Sequence, residues 1–127
     1  MSIANYAENQ LLDAVFIHDA FCVTGDPYVS LHTGDPGETG LSVGEITSGT
    51  VPRIQVSFNA AVAGSSTNSK HAYFTSMPAL TISHIGLWDA VSAGNHLWNG
   101  ALTAAKIVNG GDTFELATTT GITVTLD

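Results

Sequence analysis

The chain has 127 residues, 44% of them hydrophobic and only 11% charged, where an ordinary soluble domain carries roughly a quarter charged residues. That length suits one domain with a single core and needs no disulfide staples. Three basic residues, Arg53, Lys70 and Lys106, against eleven acidic ones give a net charge of -8. This excludes a phosphate-tracking nucleic-acid binder and a polybasic membrane anchor, both of which need clustered cations. The lone cysteine, Cys22, makes no intrachain bridge. The first residues lack a basic, continuously apolar leader, and no window approaches the ~18 apolar residues of a membrane span. The expectation is synthesis in a cytosol, without a signal peptide.

From Ser2 to about Ile17, the residues Ile3, Tyr6, Ala7, Leu11, Ala14 and Val15 recur at three- and four-residue steps and predict one helix within residues 1–18. Ser2 or Asn5 is the expected N-cap, and Asn5 with Glu8 resembles a capping box. Leu12, Phe16 and Ile17 widen the apolar stripe until His18-Asp19 breaks it, which predicts burial on two sides, in the core or against another subunit.

Beyond the helix, short runs rich in Val, Ile, Thr and aromatics alternate with Gly, Asn, Asp and Pro. They predict strands at 28–33, 53–59, 71–75, 81–88, 96–103, 113–117 and 122–126. The fold class that follows is mainly β, an antiparallel, jelly-roll-like β-sandwich with one N-terminal α-helix, in a single domain over 1–127. Gly25-Asp26-Pro27 and Gly34-Asp35-Pro36-Gly37 read as turns. Residues 34–52, rich in Gly, Thr and Ser, read as a partner-contacting arm. Gly64 to Ser69 reads as a polar loop, and Val108 to Asp112 as a tight hairpin connection.

Motifs for chemistry are weak. Gly40-Leu41-Ser42-Val43-Gly44 fits a nucleophile-elbow pattern, yet no helix follows Ser42 to make the required strand-to-helix turn. The five histidines, His18, His32, His71, His84 and His96, lack metal-ligand spacing. Asp26, Asp35 and Glu38 sit in turns, where acidic tips ordinarily solvate the surface rather than hold calcium. No catalytic residue, metal site or cofactor is expected. Tyr73, Phe74, Trp88, Trp98 and Phe114 lie on predicted strands, where aromatics ordinarily fill a core. A sugar-binding platform of Tyr73, Trp88 and Trp98 is the competing reading.

Several stretches carry a resemblance: Thr81-Ile82-Ser83-His84-Ile85-Gly86-Leu87-Trp88-Asp89-Ala90, Gly94-Asn95-His96-Leu97-Trp98-Asn99-Gly100-Ala101-Leu102-Thr103 and Lys106 to Phe114. With Asn5 to Asp13, Tyr28 to Thr33, Asp35 to Glu38, Val56-Ser57-Phe58 and Ser66 to Ser69, they resemble a family of small structural proteins of tailed bacteriophages, labelled tail-fibre or minor tail proteins. The His-Ile-Gly-Leu-Trp-Asp-Ala segment is the most specific. At Val51-Pro52-Arg53 the chain departs from similar proteins, which tend to carry an aromatic two places before the arginine.

The resemblance implies a non-enzymatic virion component, tail-associated or decorating the capsid. Its expected partners are copies of itself, with a trimer favoured by analogy, and major capsid or tail proteins, with no nucleic acid or membrane. Few charges would need desolvation at such an interface. The residues expected to contact neighbours are Leu11, Leu12, Val15 and Phe16 on the helix and Leu41, Val43 and Ile46 on the arm. Long repeats and coiled-coil heptads are absent, which favours a small accessory module over a long fibre. The alternative is a carbohydrate-binding module of a fibre that recognises host surface glycans.

Overall fold

A computed structural model describes residues 2–21, 23–39, 44–46 and 53–126. The elements run β1 (Ser2–Ile3), α1 (Asn5–Phe16), β2 (Tyr28–His32), β3 (Ile54–Gln55), β4 (Ser65–Thr67), β5 (Ala72–Phe74), β6 (Leu80–Trp88), β7 (His96–Val108), β8 (Phe114–Leu116) and β9 (Thr123–Thr125). They form an open five-stranded sheet, ordered β1-β7-β6-β2-β3, and two two-stranded ribbons, β4-β9 and β5-β8. Every pairing is antiparallel. The mainly β, antiparallel reading with one N-terminal helix holds. What the sequence suggested as a second sandwich sheet consists of the two ribbons.

Strand alternation gives the main sheet two dissimilar faces. Val29 and Leu31 on β2 pair with Leu87 and Ile85 on β6, and all four side chains enter the core. Ala72, Phe74, Phe114 and Leu116 of the β5-β8 ribbon join the same cluster, and Val124 of β9 packs against it. The intervening residues Ser30, His32, His84, Gly86 and Trp88 share the opposite face. A register shift between Leu87 and Trp88 sets His96 opposite Trp88, while Trp98 stays opposite Leu87 on the core side. A bulge of this kind re-aims side chains without ending the pairing.

Asn68 ties the ribbons together. It is fully buried, its amide donates to the Lys70 and Ala117 carbonyls at 2.9 Å each, and its side-chain oxygen accepts from the Ile122 N–H at 3.0 Å. The expected loop at 64–69 therefore contains β4, because polar Ser and Thr still pair when a neighbouring strand is supplied. Only Ile54–Gln55 of the expected 53–59 strand is regular, followed by an isolated bridge at Phe58. The turn at 109–112 closes with Asp112 N–H on the Asn109 carbonyl, but it joins strands of different sheets and is not a hairpin connection.

The helix differs most from expectation. Its N-cap is Ala4, with no side-chain cap, so neither Ser2 nor Asn5 caps it and the box with Glu8 does not form. The chain enters from β1, and the Ala4 and Asn5 N–H groups are taken by the carbonyls of Leu97 and Glu38. His18, in the left-handed region at φ 60°, ends it and lets the Asp19 N–H reach the Asp13 carbonyl. Ala7 is fully buried, and Gln10, Leu11 and Ala14 are half-buried, so small side chains set the helix close to its support. The outward face runs Asn5, Glu8, Asn9, then Leu12, Val15 and Phe16. It is polar in the first half and apolar in the second, so the wide stripe is not buried on two sides within the monomer.

Candidate functional site

The polar face of the main sheet carries a buried cluster that no local motif announces. Trp88 Nε1 donates to Ser30 Oγ at 2.7 Å, and that hydroxyl lies 2.6 Å from His32 Nε2. Gly86 sits between them. A Cβ there would come within 2.8 Å of Ser30 Oγ and 3.0 Å of Trp88 Nε1, so only glycine leaves room for the three polar groups.

Arg53 closes the cluster from above. It is 8% exposed, and its Nε and Nη2 donate to the two Glu45 carboxylate oxygens at 2.6 and 3.1 Å. Nη1 donates to the carbonyls of Ala90 and Ala93 at 3.0 and 2.8 Å. The guanidinium carbon lies 3.8 Å from the Trp88 ring centre. A planar fork that pairs bidentately and stacks at once is a role lysine cannot fill. Arg53 thus has a definite structural role despite the unusual residue at position 51. The 89–95 turn supplies its carbonyls and is held by Asp89, whose carboxylate accepts from Asn95 N–H at 2.6 Å and from the Asn95 amide at 2.8 Å.

His96 stacks on Trp88, with ring centres 4.6 Å apart, and is 1% exposed. Neither ring nitrogen has a hydrogen-bond partner. Burial holds its pKa below the ordinary histidine range, and repulsion from His32 and Arg53 adds to this. The Trp98 backbone and Glu45 act in the opposite direction, the backbone without reaching hydrogen-bond geometry. Next to His96 a pocket of about 420 Å³ opens at the N-terminus of α1, lined among the described residues by Asn5, Tyr6, Glu38, Thr39, Gly94, Asn95 and His96. On the core side of the sheet a separate, almost wholly apolar pocket of about 250 Å³ is walled by Val23, Phe58, Leu87, Leu97, Trp98 and Val124.

The residues singled out from the sequence scatter over these features. Leu12, Val15 and Phe16 are 56%, 65% and 73% exposed, and Ile17, just past the helix end, is 66% exposed. Leu11 is half-buried. Ile46 belongs to the core cluster, where its N–H bonds to the Leu31 carbonyl, so its side chain is not available to a neighbour. Leu41, Ser42 and Val43 lie outside the described residues.

Tyr73, Trp88 and Trp98 do not form one aromatic platform. Trp88 is 2% exposed beneath Arg53, Trp98 projects to the opposite side of the sheet, and exposed Tyr73 stacks on His71 on the β5-β8 ribbon. Among the described residues no three His, Cys, Asp or Glu side chains gather as a metal site. Asp26 accepts from Ser57, Asp35 from the Gly37 N–H, and Glu38 from Ser2. His71 pairs with Glu115 and His84 with Ser83.

No curated protein matches the chain. The family model described as podophage GP4 fiber I protein gp80 matches residues 2–125, a span that takes in α1, the three sheets, the buried polar cluster and both pockets. By that match over nearly its whole length, the chain belongs to the podophage GP4 fiber I protein gp80 family, and it is a structural tail fibre component of the phage virion.

Proposed function

We propose that this chain is a non-enzymatic accessory subunit on the outer surface of the virion, tail-associated and held in place by copies of itself and a neighbouring tail or capsid protein. The observation that carries the reading is the outer face of α1, where Leu12, Val15, Phe16 and Ile17 stand together in solvent. Contiguous large apolar residues on a folded surface mark an interaction site. A chain with 11% charged residues brings few charges to desolvate when that surface is covered.

The apolar pocket at Trp98 is a seat of matching chemistry elsewhere on the same molecule. A protruding apolar end and a separate apolar hollow make a head-to-tail contact, which closes into a ring when the rotation permits. A trimer is the favoured ring. The family description supports a tail location over capsid decoration.

Light scattering on the purified chain and electron microscopy of intact particles test this. The expected result is a discrete oligomer that Phe16→Asp converts to a folded monomer, together with density for the subunit outside the particle. A wild-type chain that stays monomeric at high concentration and is missing from purified particles would remove the proposal.

A further inference from the structure

The sequence holds two Asn-Gly pairs, Asn99-Gly100 and Asn109-Gly110, and the fold treats them oppositely. We infer that Asn109 is a site of spontaneous covalent modification, at which the Gly110 amide nitrogen attacks the Asn109 side-chain amide and water then converts the product to aspartate or isoaspartate. A bond forms between the Gly110 nitrogen and Asn109 Cγ as the bond from Cγ to the side-chain nitrogen breaks. Ammonia leaves with the proton that the Gly110 nitrogen gives up, and a succinimide ring remains. Water opens that ring at Cγ to give aspartate, or at the main-chain carbonyl carbon to give isoaspartate. Nothing is oxidised or reduced, and water is the one co-reactant.

The attack needs an unscreened nitrogen and an unengaged side chain. Glycine has no Cβ to screen its nitrogen, and at Gly110 even an added Cβ would meet nothing within 4 Å. Among the described residues none accepts from the Gly110 N–H or bonds the Asn109 side-chain amide. Both residues are exposed, and Asn109 lies just past the end of β7, so no sheet pairing has to break before its side chain turns onto the nitrogen. Asn99 is the internal control. It is 6% exposed, its amide donates to the Gly37 carbonyl at 2.7 Å, and it sits within β7 between Ser2 of β1 and Gly86 of β6. Attack there requires the sheet to open first.

The product alters a joint of the fold. The turn from Asn109 to Asp112 connects β7 of the main sheet to β8 of a ribbon. Asp112 N–H donates to the Asn109 carbonyl at 3.1 Å, and Asn109 N–H donates to the Asp112 carboxylate at 2.9 Å. Gly111 N–H reaches the Met77 carbonyl at 2.8 Å, and Met77 N–H the Asp112 carbonyl at 2.9 Å, which anchors the turn to the chain before β6. In isoaspartate the chain runs through the former side chain, so the Asn109 carbonyl leaves the main chain as a carboxylate. It would stand close to the Asp112 carboxylate, and like charges repel. The closing bond is then lost and the anchorage at Met77 loosens.

The test is ageing of the purified full chain in warm, mildly alkaline buffer, followed by peptide mapping with mass spectrometry and enzymatic labelling of isoaspartate. Asn109 is expected to exchange its amide for a carboxyl group, with isoaspartate among the products, at least about tenfold faster than Asn99 in the same samples. In urea the two sites should react at similar rates, because the protection of Asn99 belongs to the fold. Gly110 is not in the left-handed region, so Gly110→Ala should fold, and its methyl group should slow the reaction about tenfold. After ageing, the Met77, Gly111 and Asp112 amides should exchange hydrogen faster than in fresh protein. Equal rates at Asn99 and Asn109 in the folded chain, an Asn109 that reacts only in urea, aspartate without isoaspartate, or a rate untouched by Gly110→Ala would overturn the assignment. Unchanged hydrogen exchange at Met77 would overturn its effect on the joint.

Discussion

Two regions of this molecule invert the usual distribution of side chains. On the polar face of the main sheet, one of only three basic residues in the chain is buried with its carboxylate partner, over a tryptophan and two histidines. On the outer face of α1, the large apolar side chains that ordinarily fill a core stand in water. The first region satisfies nearly every polar group within the monomer, so its disruption should be felt by the isolated chain. The second satisfies nothing within the monomer, so its disruption should be felt only when subunits meet. The contrast separates what folds the subunit from what assembles it, and each variant below should affect one and spare the other.

Arg53→Ala has the largest expected effect. It leaves Glu45 buried without its partner, strips two carbonyls of their donor and uncovers Trp88. Breaking a buried pair from one side typically costs about 3–5 kcal/mol. Urea denaturation at a fixed, low protein concentration should show that loss. Arg53→Lys should recover only part of it, because an ammonium cannot pair bidentately and stack together. A loss below ~1 kcal/mol, the range of an exposed pair, would mean that the pair is not buried in solution.

Gly86→Ala comes next. The added methyl carbon would stand 2.8 Å from Ser30 Oγ and 3.1 Å from His32 Nε2, and both are held by neighbours on rigid strands. Overpacking of this kind costs about 1–3 kcal/mol. The same measurement on a Ser30→Ala, Gly86→Ala double variant should show recovery, since the closest clash is then removed.

A smaller effect follows from His96. Its folded pKa lies below the ordinary value near 6.5, so the unfolded chain takes up a proton more readily than the folded one. The contribution to stability is complete above that unfolded value and is lost as the pH falls through the folded one. The slope from one proton does not exceed about 1.4 kcal/mol per pH unit. Thermal unfolding followed from neutral pH downward should show the loss in the wild type. His96→Phe, which cannot titrate, should flatten the curve over that window.

How much of this was legible in the sequence depends on how far apart the interacting residues lie. The sequence pattern predicts β6 almost to the residue, because Ile85 and Leu87 alternate with His84, Gly86 and Trp88 over a long uninterrupted run. The period predicts the helix but not its cap, since the Ala4 and Asn5 N–H groups are satisfied by Leu97 and Glu38, residues remote in sequence.

The polar cluster is not legible for the same reason: Ser30, Glu45, Arg53, Gly86 and His96 meet only through the pairing of β3, β2, β6 and β7 and the bridge between His32 and Glu45. Two local signals pointed to it. One is polar Ser30 and His32 at alternate positions of an otherwise apolar strand, and the other is a glycine inside a strand, which often marks a close approach. Trp88 as a sugar platform failed because exposure is a property of the tertiary fold, and a tryptophan on a strand is equally compatible with either face.

The smallest effect on the isolated chain, and the most informative about assembly, is expected at Phe16. Its side chain is 73% exposed at the end of the helix and lies outside the core cluster of the described residues. Phe16→Ser should therefore change monomer stability by no more than about 0.5 kcal/mol, the range of ordinary surface substitutions. If Leu12, Val15, Phe16 and Ile17 form the covered face, the same change should weaken self-association by an order of magnitude or more, since burying one such side chain is worth about 1.5–3 kcal/mol. Sedimentation velocity over a concentration series reads the association, and urea denaturation of the same samples reads the fold. A variant that unfolds easily would place Phe16 in the core, and one that associates like the wild type would move the interface elsewhere. Intact stability with lost association is the outcome that keeps the two regions distinct, with Arg53 holding the subunit and the outer face of α1 holding its neighbours.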